Sequence, residues 1–194
     1  MAINYPLTLP THTGVRGINL RAINAVQMTQ SEFTFSTKIQ VLSGQMWAAD
    51  LTLPPMKRVD AEQWVAFLIS LRGHYGTFLL GDTASSTIRG TATTVSISGI
   101  SGSSSVTAVS DGTLLAGDMI QIGNGSDATL HKVLVDLDGS GTLEIWPALR
   151  KDRVSASVTL SCAKGNFRLS SNEAEWSVNE AAIYGISFSA MEAI

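Results

Sequence analysis

The segment Asp136–Gly141, DLDGSG, puts oxygen-bearing side chains where a calcium loop would want them. An EF-hand loop needs acidic or polar oxygens at positions 1, 3 and 5, glycine at 6 and a bidentate glutamate at 12. Asp136, Asp138, Ser140 and Gly141 meet the first half, and Leu143 supplies the apolar residue at position 8. The match stops there. Position 12 is Pro147, which has no side-chain oxygen, and Glu144 falls at position 9. The flanks, Val133–Val135 and Leu143–Trp146, alternate as strands where an EF-hand needs helices. The expectation is a hairpin turn using Gly139 and Gly141 for positive φ, with at most weak calcium affinity.

The remaining reactive side chains are scattered. His12, His74 and His131 do not stand with another His, Glu or Asp at metal-ligand spacing. His74 lies just past a helix end, where it would face the helix dipole. The single cysteine, Cys162, excludes an internal disulfide and a cysteine-rich metal site. It ends the alternating run SVTLSC and is expected as a small side chain in a strand. Asp118, in AGDMIQIG, is expected in a turn entering an apolar strand rather than as a catalytic acid. GNGSD, Gly123–Asp127, does not precede a helix pattern and so is no phosphate cradle. No nucleophile elbow or Walker loop is present. No catalytic, cofactor-binding or metal-ligating residue is assigned, and the chain is expected not to be an enzyme.

The elements that position these residues read as mainly β. Ser31–Gln40, SEFTFSTKIQ, alternates as a strand with Phe33, Phe35 and Ile39 on one face. Trp47, Ala49, Leu51 and Leu53 mark a second strand, closed by Pro54 and Pro55. One helix follows, over about 60–72. Asp60 is its expected cap with Gln63 completing a capping box, and Val59 and Trp64 have the spacing of a hydrophobic staple. Trp64, Phe67, Leu68 and Leu71 form its apolar face, and Gly73 closes it. Gly76–Asp82 returns as a strand.

From about Ser85 the aromatics vanish until Trp146, and Ser, Thr, Gly and Val take over. Short strands are predicted at Thr93–Ser98, Ser105–Ser110, Asp118–Gly123, His131–Asp136, Thr142–Trp146 and Ser157–Cys162, as in a small barrel or sandwich. SGSSS, Ser101–Ser105, is a hairpin turn. Aromatics return at Phe167, and Tyr184–Ala190 is a final alternating strand. The expected architecture is a β-sandwich host domain with one α-helix, residues 1–86 and 164–194. A small all-β, barrel-like domain, 87–163, is inserted in it.

The 194 residues can bury a full core. Charged residues are 15%, well under the usual quarter, which suits a surface buried against partners. A net charge of −3 with no basic cluster argues against nucleic-acid binding. The N-terminus has no secretory pattern, and the run WVAFLISL is too short to cross a bilayer, so no membrane insertion is expected.

The segment from Met46 to Asp82 resembles tailed-phage and prophage tail proteins. In these a strand with a W…LPP-like end precedes a helix of pattern A-x-x-W-x-A-F-L-x-x-L-R-G and a G-x-F strand. Here Trp47, Leu53, Pro54, Pro55, Ala61, Trp64, Phe67, Leu68, Leu71, Arg72, Gly73, Gly76 and Phe78 match. AGDMIQIG, IWPALR, GNFRL and the terminal Glu192-Ala193 follow in the same order. The resemblance is to distal tail proteins of long non-contractile tails. It implies a ring, usually a homohexamer, joining the tail tube protein to the baseplate hub or tail-associated protein. Contacts with the tape measure and receptor-binding proteins are also implied, with a virion location at the tail tip after synthesis in the host cytoplasm. DNA would pass through the lumen without specific binding. Loops around Arg16–Ile23 and the Pro54–Arg58 turn are expected to contribute to the heterologous contacts of such a ring. The rival reading is a carbohydrate-binding module acting in host-surface adsorption. It is disfavoured because Trp146 is the one aromatic between Ser85 and Asn166. An envelope hydrolase ranks last, for want of motifs.

Overall fold

The computed structural model describes residues 3–11, 14–82 and 86–194. His12 lies outside the described residues. The chain begins with a long ribbon. β1 (Gly17–Gln30) pairs antiparallel with β2 (Thr37–Thr52), from Gly17–Thr52 at the base to Gln30–Thr37 at the tip. The expected strand Ser31–Gln40 is therefore corrected. Ser31–Ser36 is the turn at the ribbon tip, where the backbone bonds to itself: Ser31 N–H donates to Ser36 O and Phe35 N–H to Ser31 O, both 2.9 Å. Arg16–Ile23, expected as loop, lies almost wholly in β1.

A short β3 (Met56–Lys57) leads straight into α1 (Arg58–Ser70). This overturns the expected cap at Asp60. Lys57 holds the cap position with no side-chain bond, because β3 is already paired to a strand and delivers the chain into the helix. Asp60 sits inside the first turn, where a carboxylate suits the helix dipole. At the other end Gly73 has φ +65°, as closure by glycine requires.

β4 (Phe78–Leu80), β13 (Gly165–Leu169) and β15 (Ile183–Glu192) complete the host sheet in the order β1-β2-β15-β13-β4. β15 serves two neighbourhoods. Its first half pairs with β3 and with β14 (Trp176–Val178), its second half with β2 and β13. The apolar stripe of α1 lies on this sheet, and Trp64, Phe67, Phe78 and Phe188 make a chain of mostly edge-to-face ring contacts.

Between β4 and β13 the chain builds a second body. β5 (Val95–Gly99), β6 (Ser105–Ser110), β7 (Thr113–Leu114), β8 (Met119–Ile122), β9 (Thr129–Val133), β10 (Leu137–Asp138), β11 (Gly141–Trp146) and β12 (Arg153–Thr159) lie there. Six of them close a barrel in the order β11-β6-β5-β12-β8-β9, while β7 and β10 pair as a flap. The β5–β6 hairpin confirms SGSSS as a turn. The barrel core is Val95, Ile97, Val106, Leu114, Ile120, Ile122, Val133, Leu143, Ile145 and Leu149 with alanines, all aliphatic. A small barrel leaves interior room for such side chains, which is why the aromatics stop here. The molecule is mainly β: a host sheet carrying one helix, and a closed barrel.

Candidate functional site: the ribbon arm and its root

The residues singled out for chemistry are separated and structurally engaged. Asp136 Oδ1 accepts the Ala116 N–H at 2.6 Å, and Ser140 Oγ accepts that of Ser110 at 3.3 Å. Asp138 lies in β10, paired with Thr113. The expected ligands thus serve different neighbours. The turn itself is longer than expected: β9 pairs with β11, but the strand stops at Val133, and β10 in the connection pairs with β7. Among the described residues no group of three His, Cys, Asp or Glu could hold a metal. No described helix is long and apolar enough to cross a membrane.

Asp118 is buried and accepts the N–H groups of Arg89 at 2.9 Å, Leu115 at 2.9 Å and Gly90 at 3.3 Å. It fastens the segment that leads into the barrel. Gly123–Asp127 leads into β9 and precedes no helix, as expected, and a 3-10 turn covers its last three residues, Gly125–Asp127. There Asp127 pairs with Arg153 at 2.6 Å and Lys151 at 2.7 Å, and the bonds from these two cations lower its pKa. Cys162 is a correction. It lies beyond the end of β12, exposed, at φ 48°, instead of within a strand. His74 uses Nδ1 on the Leu169 carbonyl at 2.9 Å and so ties the helix end to β13.

His131 is fully buried between Pro147 O, 2.7 Å from Nδ1, and Thr129 Oγ1, 2.9 Å from Nε2. A carbonyl can only accept, so Nδ1 carries the proton, and the Thr129 hydroxyl has a single proton to give either to Nε2 or to the Ile122 carbonyl 3.2 Å away. Burial, opposed in part by the Pro147 bond, lowers its pKa from 6.5 to about 4.

The unusual surface is the ribbon. At its base Ile18–Leu51, Leu20–Ala49 and Ala22–Trp47 are cross-strand pairs on the core face. The register shifts between Asn24 and Val26, a bulge at which Gly44 approaches Ala25 too closely for a side chain. Beyond it five paired rungs project, roughly 17 Å of ribbon. Here Val26 faces Val41 and Met28 faces Ile39, making one apolar side. Gln27–Gln40 and Thr29–Lys38 make the other side polar. All four apolar residues are exposed, Val41 by 76%, and at the tip Phe33 reaches 96%. Phe35 stands there at φ 54°, a conformation costly for a bulky residue, of order 1 kcal/mol. Among the described residues nothing covers these side chains.

The root of the arm is held by the barrel. Trp146 Nε1 donates to Asn24 Oδ1 at 2.8 Å, and Ala148 N–H to Gln45 Oε1 at 2.8 Å. Arg150 Nη2 donates to the Gln45 carbonyl at 2.6 Å and forks onto Glu192 through Nε at 3.0 Å and Nη2 at 2.7 Å. Trp47 stacks edge-on against Trp146, 4.5 Å between centroids, and its Nε1 donates to Leu130 O at 2.9 Å. Trp146 is half-buried at the arm root, with its Nε1 on Asn24 and its ring against Trp47. Sequence reasoning missed both arm and root. The signal was present as two alternating segments mirrored about SEFTFS. No known protein family and no curated protein matches the chain.

Proposed function

We propose that this chain is a structural virion protein that assembles head-to-tail into a ring at the distal end of a phage tail. There it would join the tail tube to the baseplate hub and carry receptor-binding components. The amphipathic arm is the observation that carries the reading. A two-stranded ribbon alone in water is marginal. One with an apolar face is suited to be covered, and each such side chain returns roughly 1.5–3 kcal/mol when fully buried. An arm reaching from one part of a subunit to a different part of the next is a heterologous contact, which gives a ring where the rotation between subunits closes. The low charge density and the order of motifs along the chain agree with this.

The test is mass by light scattering with negative-stain images of the same peak. A closed, hexamer-like ring is the expected result. A monodisperse monomer at high concentration, unchanged when tail-tube and hub proteins are added, would overturn the reading.

A further inference from the structure

Three barrel-to-ribbon hydrogen bonds land on one rung, while a fourth, from Trp47 Nε1 to Leu130 O, lies two rungs nearer the base. Asn24 and Gln45 are directly paired, and they are the last regular pair before the bulge. A bulge is where a ribbon bends and increases its twist. Five rungs lie beyond it with exposed side chains, so a small rotation at this rung swings the whole tip. The loop Trp146–Arg150 takes hold of both strands of the rung, which opposes flapping and rotation together.

The loop is itself held. His131 donates to the Pro147 carbonyl, and Arg150 is forked onto Glu192, whose side chain is 4% exposed and also accepts the Trp47 N–H at 3.1 Å. Glu192 belongs to β15, the central strand of the host sheet. The angle of the arm is therefore referred through one loop to the barrel and to the host core at once. Ordinary packing between two bodies would spread its polar contacts along the sheet. Here three of the four converge on the hinge.

We propose that the barrel between β4 and β13 acts as a bracket, fixing the angle at which the arm leaves the host sheet. This assigns a function to the barrel without a ligand of its own, and it holds whatever the arm binds.

The test places spin labels at Glu32→Cys on the tip and Gln63→Cys on α1, in a Cys162→Ser background diluted with unlabelled protein. The tip-to-helix distance distribution is then measured by pulsed electron resonance. Trp146→Phe keeps an aromatic ring, though a smaller one, and removes the N–H donor. Asn24→Ala removes the same bond from an exposed residue, so loss of folding cannot stand in for the effect. Gln45→Ala removes the second bond. We expect each to widen the distribution, and Trp146→Phe with Gln45→Ala to roughly double its width, because a bulge without its brace is a bend point. Trp146→Phe and Asn24→Ala combined should widen it no more than either alone. Unchanged widths in folded Asn24→Ala and Gln45→Ala would overturn the bracket, as would strict additivity of the Trp146 and Asn24 effects.

Discussion

The two halves of one ribbon make opposite uses of the same alternation. Below the bulge, alternate residues of β1 and β2 face the host core, and Trp47, Ala49 and Leu51 are buried. Above it, the alternation continues in Val26, Met28, Ile39 and Val41, and all four are exposed. The pairing chemistry is the same, so strand propensity does not separate the halves. Only the surroundings do. The lower half is stabilised by its own molecule, and the upper half keeps its apolar side exposed.

The sharpest way to break that comparison is at Trp47, the residue that joins the lower half to everything else. Trp47→Ala removes a buried ring, its edge contact with Trp146 and its bond to Leu130. A loss of about 3–5 kcal/mol in unfolding free energy is expected, the range for deleting a large core aromatic. A loss under 1 kcal/mol by denaturant titration would mean the base of the ribbon is no more anchored than its tip.

Next comes the fork beneath the root. Arg150→Ala leaves the Glu192 carboxylate buried with the Trp47 N–H as its remaining described partner. Breaking a buried pair on one side costs about 3 kcal/mol or more. Arg150→Ala with Glu192→Gln should recover part of this, since no charge is then left unpaired. If the double variant is no better than the single, the pair acts through packing and not through charge.

Acid gives a graded version of the same test. His131 has a folded pKa of about 4, below its unfolded value of 6.5, chiefly through burial. Below pH 6.5 the unfolded chain binds more protons than the folded one. The stabilisation from a neutral His131 is fully present above 6.5, falls as pH drops, and is spent below about 4, roughly 3 kcal/mol in all. Asp111 lies lower, held at about 2 by the Thr93 hydroxyl and the N–H groups of Thr93 and Thr94, so it titrates outside this window. His131→Gln should flatten the stability profile between pH 6.5 and 4. A profile of unchanged slope would place the acid sensitivity elsewhere.

Sequence periodicity reached those parts of the fold whose neighbours are local. The α1 stripe and the barrel strands repeat at their own periods, and turn residues punctuate them. The helix cap failed because its start is set by the pairing of Met56 with Tyr184, far along the chain. Cys162 failed because a run of alternating residues does not reveal where its partner strand ends. The arm failed for a physical reason. Exposed apolar alternation reads as a buried strand, and SEFTFS continues that alternation through its own turn. The root was illegible because Asn24, Gln45 and Trp146 meet only in the fold.

The smallest expected change in stability is also the most discriminating. Met28→Ser and Ile39→Ser replace a directly opposed pair on the apolar side of the arm. Both residues are exposed, so the isolated chain should lose no more than about 0.5 kcal/mol, the usual limit for a surface change. Assembly, read by light scattering at matched concentration, should fall away. Gln27→Ser and Gln40→Ser, the pair on the neighbouring rung and the opposite side, should alter neither quantity. If both pairs reduce assembly alike, the arm is recognised by its edges or backbone and its apolar face is incidental. If the Met28 and Ile39 changes destabilise the monomer strongly, the upper half of the ribbon is core after all, and the contrast between its two ends fails.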